Sequence, residues 1–234
     1  MERISDLTKL VLHRGLCDDA VENSLKAFKA ACLIPDVWGI ETDIQFTFDG
    51  KCVCFHDKNG KRLFGNKALI HNLKFDQLLR LKLMSAKKRI TGEICPFKKY
   101  VKICKKYHKV CVIEFKYNFS DKQILRVVKM LKWYRYLKNC ILISFNMEIL
   151  KKLRALLPNQ RLQLLVTNPI KRCLNFCVKY RTDISLLWRL IRKDTVKKFN
   201  NFGVGVSAWG VKGYNTAAKM VEYGVESITT DKVM

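Results

Sequence analysis

The sequence predicts a closed (β/α)8 barrel, a TIM barrel, and three observations point there. Short apolar runs alternate with amphipathic stretches, eight of the first and seven of the second once one hairpin arm is set aside. The 234 residues are enough for one such barrel. Several apolar runs also end in charged side chains, as buried parallel strands do when their C-terminal ends open into a site. An open doubly wound sheet fits less well, because no glycine-rich phosphate loop follows the first strand. Gly203-Val204-Gly205 is a lone pair of glycines without the third.

Taken in order, Leu10 to His13 is the first strand and Arg14-Gly15 turns out of it. A helix follows through Leu25, Phe28, Ala31 and Cys32, with Asn23 as its expected cap and Pro35-Asp36 closing it. Trp38 to Asp43 is the second strand. Asp49-Gly50 signals a hairpin that folds Lys51 to His56 back beside it. Residues 58–95 are too long for an ordinary strand-to-helix loop and are expected to form an insertion over the site. Lys58 to Glu93 of it is polar and Lys-rich, with a short helix over Phe75 to Leu83.

Pro96 starts a helix running to about Tyr107, and Val110 to Phe115 is a strand. Ser120-Asp121 caps a helix to Tyr136. The remaining strands are Cys140–Phe145, Leu162–Val166, Ile184–Trp188, Val204–Trp209 and Ser227–Thr230. The helices between them are Met147–Leu157, Pro169–Tyr180, Thr195–Asn201 and Thr216–Tyr223. An eighth helix is missing, and the first few residues are expected to cover part of that gap. The whole of 1–234 reads as a single barrel domain.

Hydrophobic residues make up 49% of the chain, enough for a full core, and so exclude a disordered protein. The formal charge of +25 suggests an anionic partner, a phosphorylated substrate, a membrane surface or nucleic acid, and fits equally well lysines spread over solvated helix faces, with only weak attraction to polyanions and anionic membranes. The lysines are scattered, with no basic tail, so no specific nucleic acid is expected. The ten cysteines show no CxxC pair, and read as free thiols packed as small hydrophobes. The polar N-terminus resembles no secretory signal, and no apolar run approaches the roughly 20 residues that span a bilayer. A cytoplasmic protein is expected.

The chemistry gathers at strand ends. Glu41 and Asp43 lie two apart, as do Glu114 and Lys116, so each pair shares one strand face. Two carboxylates buried on one face require a cation between them. Glu41, Asp43 and Glu114 therefore read as ligands of a hard divalent ion. His13 and His56 sit beside them, with ring pKa values suited to giving and taking a proton. Arg14 and Lys116 suit a phosphate, Arg as a fork and Lys as a point charge. Trp209, two positions beyond Ser207, is expected to reach the mouth and pack on substrate. The set reads as metal-assisted phosphoester cleavage. No GxSxG or P-loop is present, which argues against serine hydrolases and P-loop kinases. His71 and His108 receive no role.

HRG at 13–15, ENS at 22–24, GIETDIQFTFDGKCVCFHD at 39–57, IEFK at 113–116, ISFN at 143–146, GVSAWGV at 205–211 and GVESITTD at 224–231 together resemble the glycerophosphodiester phosphodiesterase family. The resemblance spans Leu10 to Asp231, in the family's order. It implies a barrel enzyme that hydrolyses glycerophosphodiesters to glycerol 3-phosphate and an alcohol, using Mg²⁺ or Ca²⁺. It implies metal acids at Glu41, Asp43 and Glu114, catalytic histidines at His13 and His56, phosphate contacts from Arg14 and Lys116, and the aromatic of the glycerol pocket at Trp209. Ser24 stands where the family usually has Thr, and Gly210-Val211-Lys212 replaces the usual Thr-Val-Asn beside the alcohol pocket. Two rival readings are a lysophospholipase D-like or sphingomyelinase D-like hydrolase acting on membrane lipids, and a non-enzymatic polyanion binder. Glu114 followed by Lys116 favours the soluble diester.

Overall fold

The computed structural model describes residues 3–85, 90–168 and 171–234. Its strands are β1 (Lys9–Leu12), β2 (Gly39–Phe46), β3 (Cys52–Cys54), β4 (Leu83–Met84), β5 (Thr91–Gly92), β6 (Cys95–Pro96), β7 (Val110–Phe115), β8 (Cys140–Ser144), β9 (Leu162–Val166), β10 (Asp183–Leu187), β11 (Val206–Val211) and β12 (Ser227–Thr230). Its helices are α1 (Ile4–Leu7), α2 (Leu25–Cys32), α3 (Lys61–Phe64), α4 (Phe75–Arg80), α5 (Phe97–Lys106), α6 (Asp121–Trp133), α7 (Met147–Leu156), α8 (Lys171–Tyr180), α9 (Lys193–Asn200) and α10 (Tyr214–Glu222). The strands run in the order β1-β12-β11-β10-β9-β8-β7-β2, and β2 pairs back onto β1. Every pairing in that ring is parallel. This is the closed eight-stranded barrel expected from the alternation.

Strand alternation sorts the side chains. On β2, Ile40, Thr42 and Ile44 face the helices while Glu41 and Asp43 face the barrel interior. On β7, Cys111, Ile113 and Phe115 face out and Val112 and Glu114 face in. The outward set packs against apolar helix stripes. Helix α6 buries Ile124, Val127, Val128 and Leu131, and α5 buries Phe97, Tyr100, Val101 and Cys104, each stripe at the 3.6-residue period. Ser120 starts α6 with a capping box completed by Gln123. Inside, Val11, Val112, Ile141, Ile143 and Leu165 fill the middle layer. Beside them Gln163 Nε2 donates to Ser207 Oγ at 3.1 Å and Ser227 Oγ to the same atom at 2.8 Å.

The β2–β3 hairpin positions His56. Strand β2 overshoots the ring, turns at Gly50, and β3 returns antiparallel with Ile44 opposite Cys54. Phe55 N–H then donates to the carbonyl of Asp43, which brings His56 back to the level of the acids.

Some expectations shift. Asn23 is not the cap of α2: Ser24 Oγ accepts from Ala27 N–H, and Asn23 lies one residue outside with φ 56°. The helix expected over Phe75–Leu83 stops at Arg80, because Leu83 joins a small antiparallel pair with Gly92. Strand β11 starts two residues later than expected and runs on to Val211 through a bulge at Gly210. The start of the helix placed at Pro169 lies outside the described residues. The Lys-rich stretch is less polar than it reads. Leu63, Ile70, Leu78, Leu83 and Ile94 form a buried cluster of their own against Val21, Val53 and Phe55. Beyond β12, residues 231–234 carry no helix, and α1 packs against α10 and β1 on that side of the wall.

Lys109 ties the lower end of the barrel. Its ammonium donates to the carbonyls of Ile34, Pro35 and Val37, closing the turn between α2 and β2. Replacing it takes a donor from three carbonyls, of which that of Ile34 keeps the Val37 N–H. Lys109→Met is expected to destabilise the fold by about 1–3 kcal/mol, read as a lower urea midpoint at unchanged slope.

Candidate active site

Parallel register sets Asp43 directly beside Glu114, and Glu41 lies one inward position below Asp43 on the same strand. The three side chains are 3%, 0% and 6% exposed, and one carboxylate oxygen from each lies within 4.8 Å of the others. Two of those buried oxygens, Asp43 Oδ1 and Glu114 Oε1, accept no hydrogen bond among the described residues. The Lys116 ammonium approaches them at 3.5 and 3.1 Å as a charge, without hydrogen-bond geometry. Buried acceptors without donors are costly. Burial, reinforced by Asp43, pushes the Glu114 carboxyl up to about 8. Burial, with Asp43 and Glu114, also raises Glu41 well above the carboxylate range. Asp43 goes the other way, down to about 2: burial opposes ionisation there, but Arg14, His56 and Lys116 outweigh it. An all-oxygen donor set with unused lone pairs fits a hard divalent cation.

Arg14 is held by this cluster. Its backbone N–H donates to both the carbonyl and Oε2 of Glu41, and its Nε lies 3.2 Å from Asp43 Oδ2. Its Nη1 donates to Glu22 at 2.7 Å. These bonds hold Arg14 at φ 58°, a left-handed conformation that a bulky side chain adopts only under constraint. Gly15 follows at φ 86°, where a Cβ would meet the Ala27 backbone at 2.7 Å, so no other residue fits the turn. Lys116, just past β7, pairs with Asp43 and Glu114.

Each histidine has an acidic partner behind it. His13 Nδ1 lies 2.7 Å from Asp231 Oδ1, and its Nε2 accepts from Arg14 Nε at 3.1 Å. That network selects the tautomer with the proton on Nδ1 and the lone pair on Nε2. His56 Nδ1 lies 2.6 Å from Asp57 Oδ1. Burial lowers the His56 pKa, partly offset by Asp43, so its protonated form is a stronger acid than free imidazole. Both rings line one cavity of about 210 Å³ with Glu41, Glu114, Lys116 and Trp209. All eight residues singled out from the sequence therefore meet at one rim: seven line or reach this cavity directly and Asp43 lies beneath it, fully buried. Trp209 stands edge-on to Phe145, and its buried Nε1–H has no acceptor among the described residues.

Sequence reasoning missed the supporting residues. Asn23 Nδ2 donates to Asp43 at 3.0 Å while its Oδ1 accepts from Thr42 at 2.7 Å. Asp57 and Asp231 orient the rings. Arg62, on α3 of the insertion, bonds both oxygens of Glu22 and both of Asp57. Asp57 adjoins His56, while Glu22, Asn23 and Asp231 lie within the quoted motifs but beside none of the eight, and Arg62 lies outside them. Membership of those motifs was the available signal, but nothing in the spacing showed which way the side chains point.

A family model described as the glycerophosphoryl diester phosphodiesterase family matches residues 13–234. A glycerophosphodiester phosphodiesterase of Caldanaerobacter subterraneus is 22% identical over 96% of this chain and 94% of its own. Among solved structures, a phosphodiesterase of Oleispira antarctica in complex with the product sn-glycerol-3-phosphate superposes with TM-score 0.87, at 20% identity over 97% of this chain and 94% of that one. A glycerophosphodiester phosphodiesterase of Parabacteroides distasonis gives 0.81 at 24% identity over 96% and 92%. These likenesses establish the barrel fold.

The raised carboxyls have a measurable consequence. Glu114 is ionised in the unfolded chain above its ordinary value near 4.5 but stays neutral in the metal-free fold up to about 8. Its contribution to stability is present below 4.5 and is lost as pH rises towards 8. The melting temperature of protein treated with EDTA is expected to fall across that window. A divalent cation at about 100 times its Kd adds about 2.7 kcal/mol. That corresponds to about 5–10 °C at pH 7.5 for a domain of this size. Glu114→Gln is expected to flatten the slope and remove the cation response. A wild-type melt indifferent to Mg²⁺ and Ca²⁺ would refute the metal reading.

Proposed function

The chain belongs to the glycerophosphoryl diester phosphodiesterase family, and we propose that it hydrolyses glycerophosphodiesters to sn-glycerol 3-phosphate and an alcohol, with His13 and His56 as base and acid. The observation that carries this is the convergence of three buried carboxylates, two of them with unused oxygens, with two imidazoles on one cavity. Glu41, Asp43 and Glu114 would hold a divalent cation, Mg²⁺ or Ca²⁺. When bound, that ion supplies positive charge to neutralise the phosphodiester oxygens.

The chain's own groups do the rest. Arg14 and Lys116 flank the acids and offer positive charge to the phosphate. His13 Nε2 is an acceptor because Nδ1 donates its hydrogen to Asp231, and its lone pair is freed when Arg14 Nε turns from it to the phosphate. It then takes the proton of the attacking oxygen, either water directly or a substrate hydroxyl that first closes a cyclic phosphate for water to open. His56 gives its proton to the leaving alcohol, and Asp57 steadies the ring as its charge changes. Trp209, in the cavity lining, offers an apolar face to the glycerol half. Arg62, from the insertion, supports the site from behind through Glu22 and Asp57. No helix among the described residues is long and apolar enough to cross a membrane. All ten cysteines are free, nine of them buried, which suits a reducing cytoplasm, and the basic helices give weak attraction to anionic surfaces.

His13→Ala and His56→Ala are each expected to lower kcat by roughly 10²–10⁴ while the fold persists. Release of glycerol 3-phosphate from a panel of glycerophosphodiesters, followed by a coupled dehydrogenase assay, measures this. Exhaustive chelation is expected to abolish release. Near-wild-type turnover in either variant would remove that ring from the mechanism.

A further inference from the structure

The inner cavity, at about 210 Å³, lies below the roughly 300–1,000 Å³ usual for a whole small ligand, so it has room for one half of the diester. Next to it lies a wider pocket of about 680 Å³ that shares Lys116 and Phe145 with it. Lys58, in the lining of that pocket, is two residues beyond His56, and Tyr117 Oη donates to the His56 carbonyl at 2.9 Å. The pocket thus lies beside the ring assigned to the leaving alcohol.

The charges of the pocket are one-sided. Lys58 and Arg172 both line it, and neither has a carboxylate partner among the described residues. Glu148 is the one acid in the described lining, and Lys151 Nζ already binds it at 2.6 Å. A quaternary ammonium group is recognised by open aromatic faces. Here each of the two rings already carries an ammonium: Lys58 Nζ sits 5.5 Å from the Tyr117 ring centre and Lys116 Nζ 5.8 Å from that of Phe145. Among the described residues the lining therefore presents two cations without carboxylate partners and disfavours a cationic head group.

We propose that this pocket receives the leaving alcohol and selects head groups that carry their own negative charge, a phosphorylated polyol foremost, over cationic ones. The proposal rests on the diesterase reading above and names the substrate class within it. Lys58 and Arg172 bind the anionic group, and Lys116 stays with Asp43 and Glu114. Selectivity falls with ionic strength, because both cations are solvent-exposed and screened over about 10 Å at 0.1 M salt.

The test compares kcat/KM for glycerophosphoinositol 4-phosphate and glycerophosphocholine, using the full chain with Mg²⁺. An exposed ion pair contributes up to about fivefold in affinity, so the wild-type ratio is expected near tenfold in favour of the anionic diester. The double variant Lys58→Glu with Arg172→Glu is expected to lower that ratio by about tenfold or more, with the choline diester improving. Lys58→Arg with Arg172→Lys is expected to preserve it. The ratio cancels any common loss from disturbing His56, and a thermal melt checks folding. A wild-type ratio near one, or a ratio unmoved by charge reversal, overturns the proposal. Calorimetric binding of inositol 1,4-bisphosphate keeps the two readings apart. If neither diester is cleaved, the diesterase reading fails, yet tighter binding by wild type than by the reversed variant still supports the pocket. Equal binding by both overturns it.

Discussion

Three carboxylates with almost no access to water, one oxygen of each within 4.8 Å of the others, are the constraint on which the rest of this molecule turns. Their mutual repulsion and lost hydration have to be answered locally. The answers are Arg14 beneath a left-handed backbone, a glycine that lets the chain leave it, Lys116 at the end of β7, and the Asn23 amide. These answers are incomplete. Two oxygens stay without donors, and the two glutamates rise towards neutrality while the aspartate between the cations does not. A polar centre left in that state is poised for a cation rather than finished as a structural network.

The barrel delivers the site with little machinery beyond strand alternation. Glu41 and Asp43 need only to sit two apart, and register alone puts Glu114 level with Asp43. His56 is the exception, since it comes from an antiparallel arm and not from a wall strand. The hairpin at Gly50 is therefore as much a part of the site as the strands. Its length determines whether the second imidazole returns to the rim.

Much of this was legible in the residues. Period and length gave the barrel, and the apolar runs ending in acids, His13 and Lys116 marked the rim. What escaped reading has a physical pattern. Asn23 looked like a helix cap because caps and buried ligand-holders draw on the same residue types, and only its contact with Asp43 tells them apart. The polar stretch after His56 hid a small apolar core because its hydrophobic residues are spaced among lysines without a regular period. Asp57 sat beside His56, but sequence adjacency does not give orientation, and Asp231 is 218 positions from the ring it meets. Helix ends moved by a few residues, where tertiary pairing such as that of Leu83 with Gly92 competes with propensity.

Arg62 spans two carboxylates from separate parts of the chain, one behind Arg14 and one behind His56. The segment that carries it is also seated by the apolar cluster of Leu63, Ile70 and Leu78 against Val21, Val53 and Phe55. One guanidinium thus hands the packing of an apolar patch on to the aim of two polar side chains, Arg14 and His56, and a change that loosens the patch is felt at both.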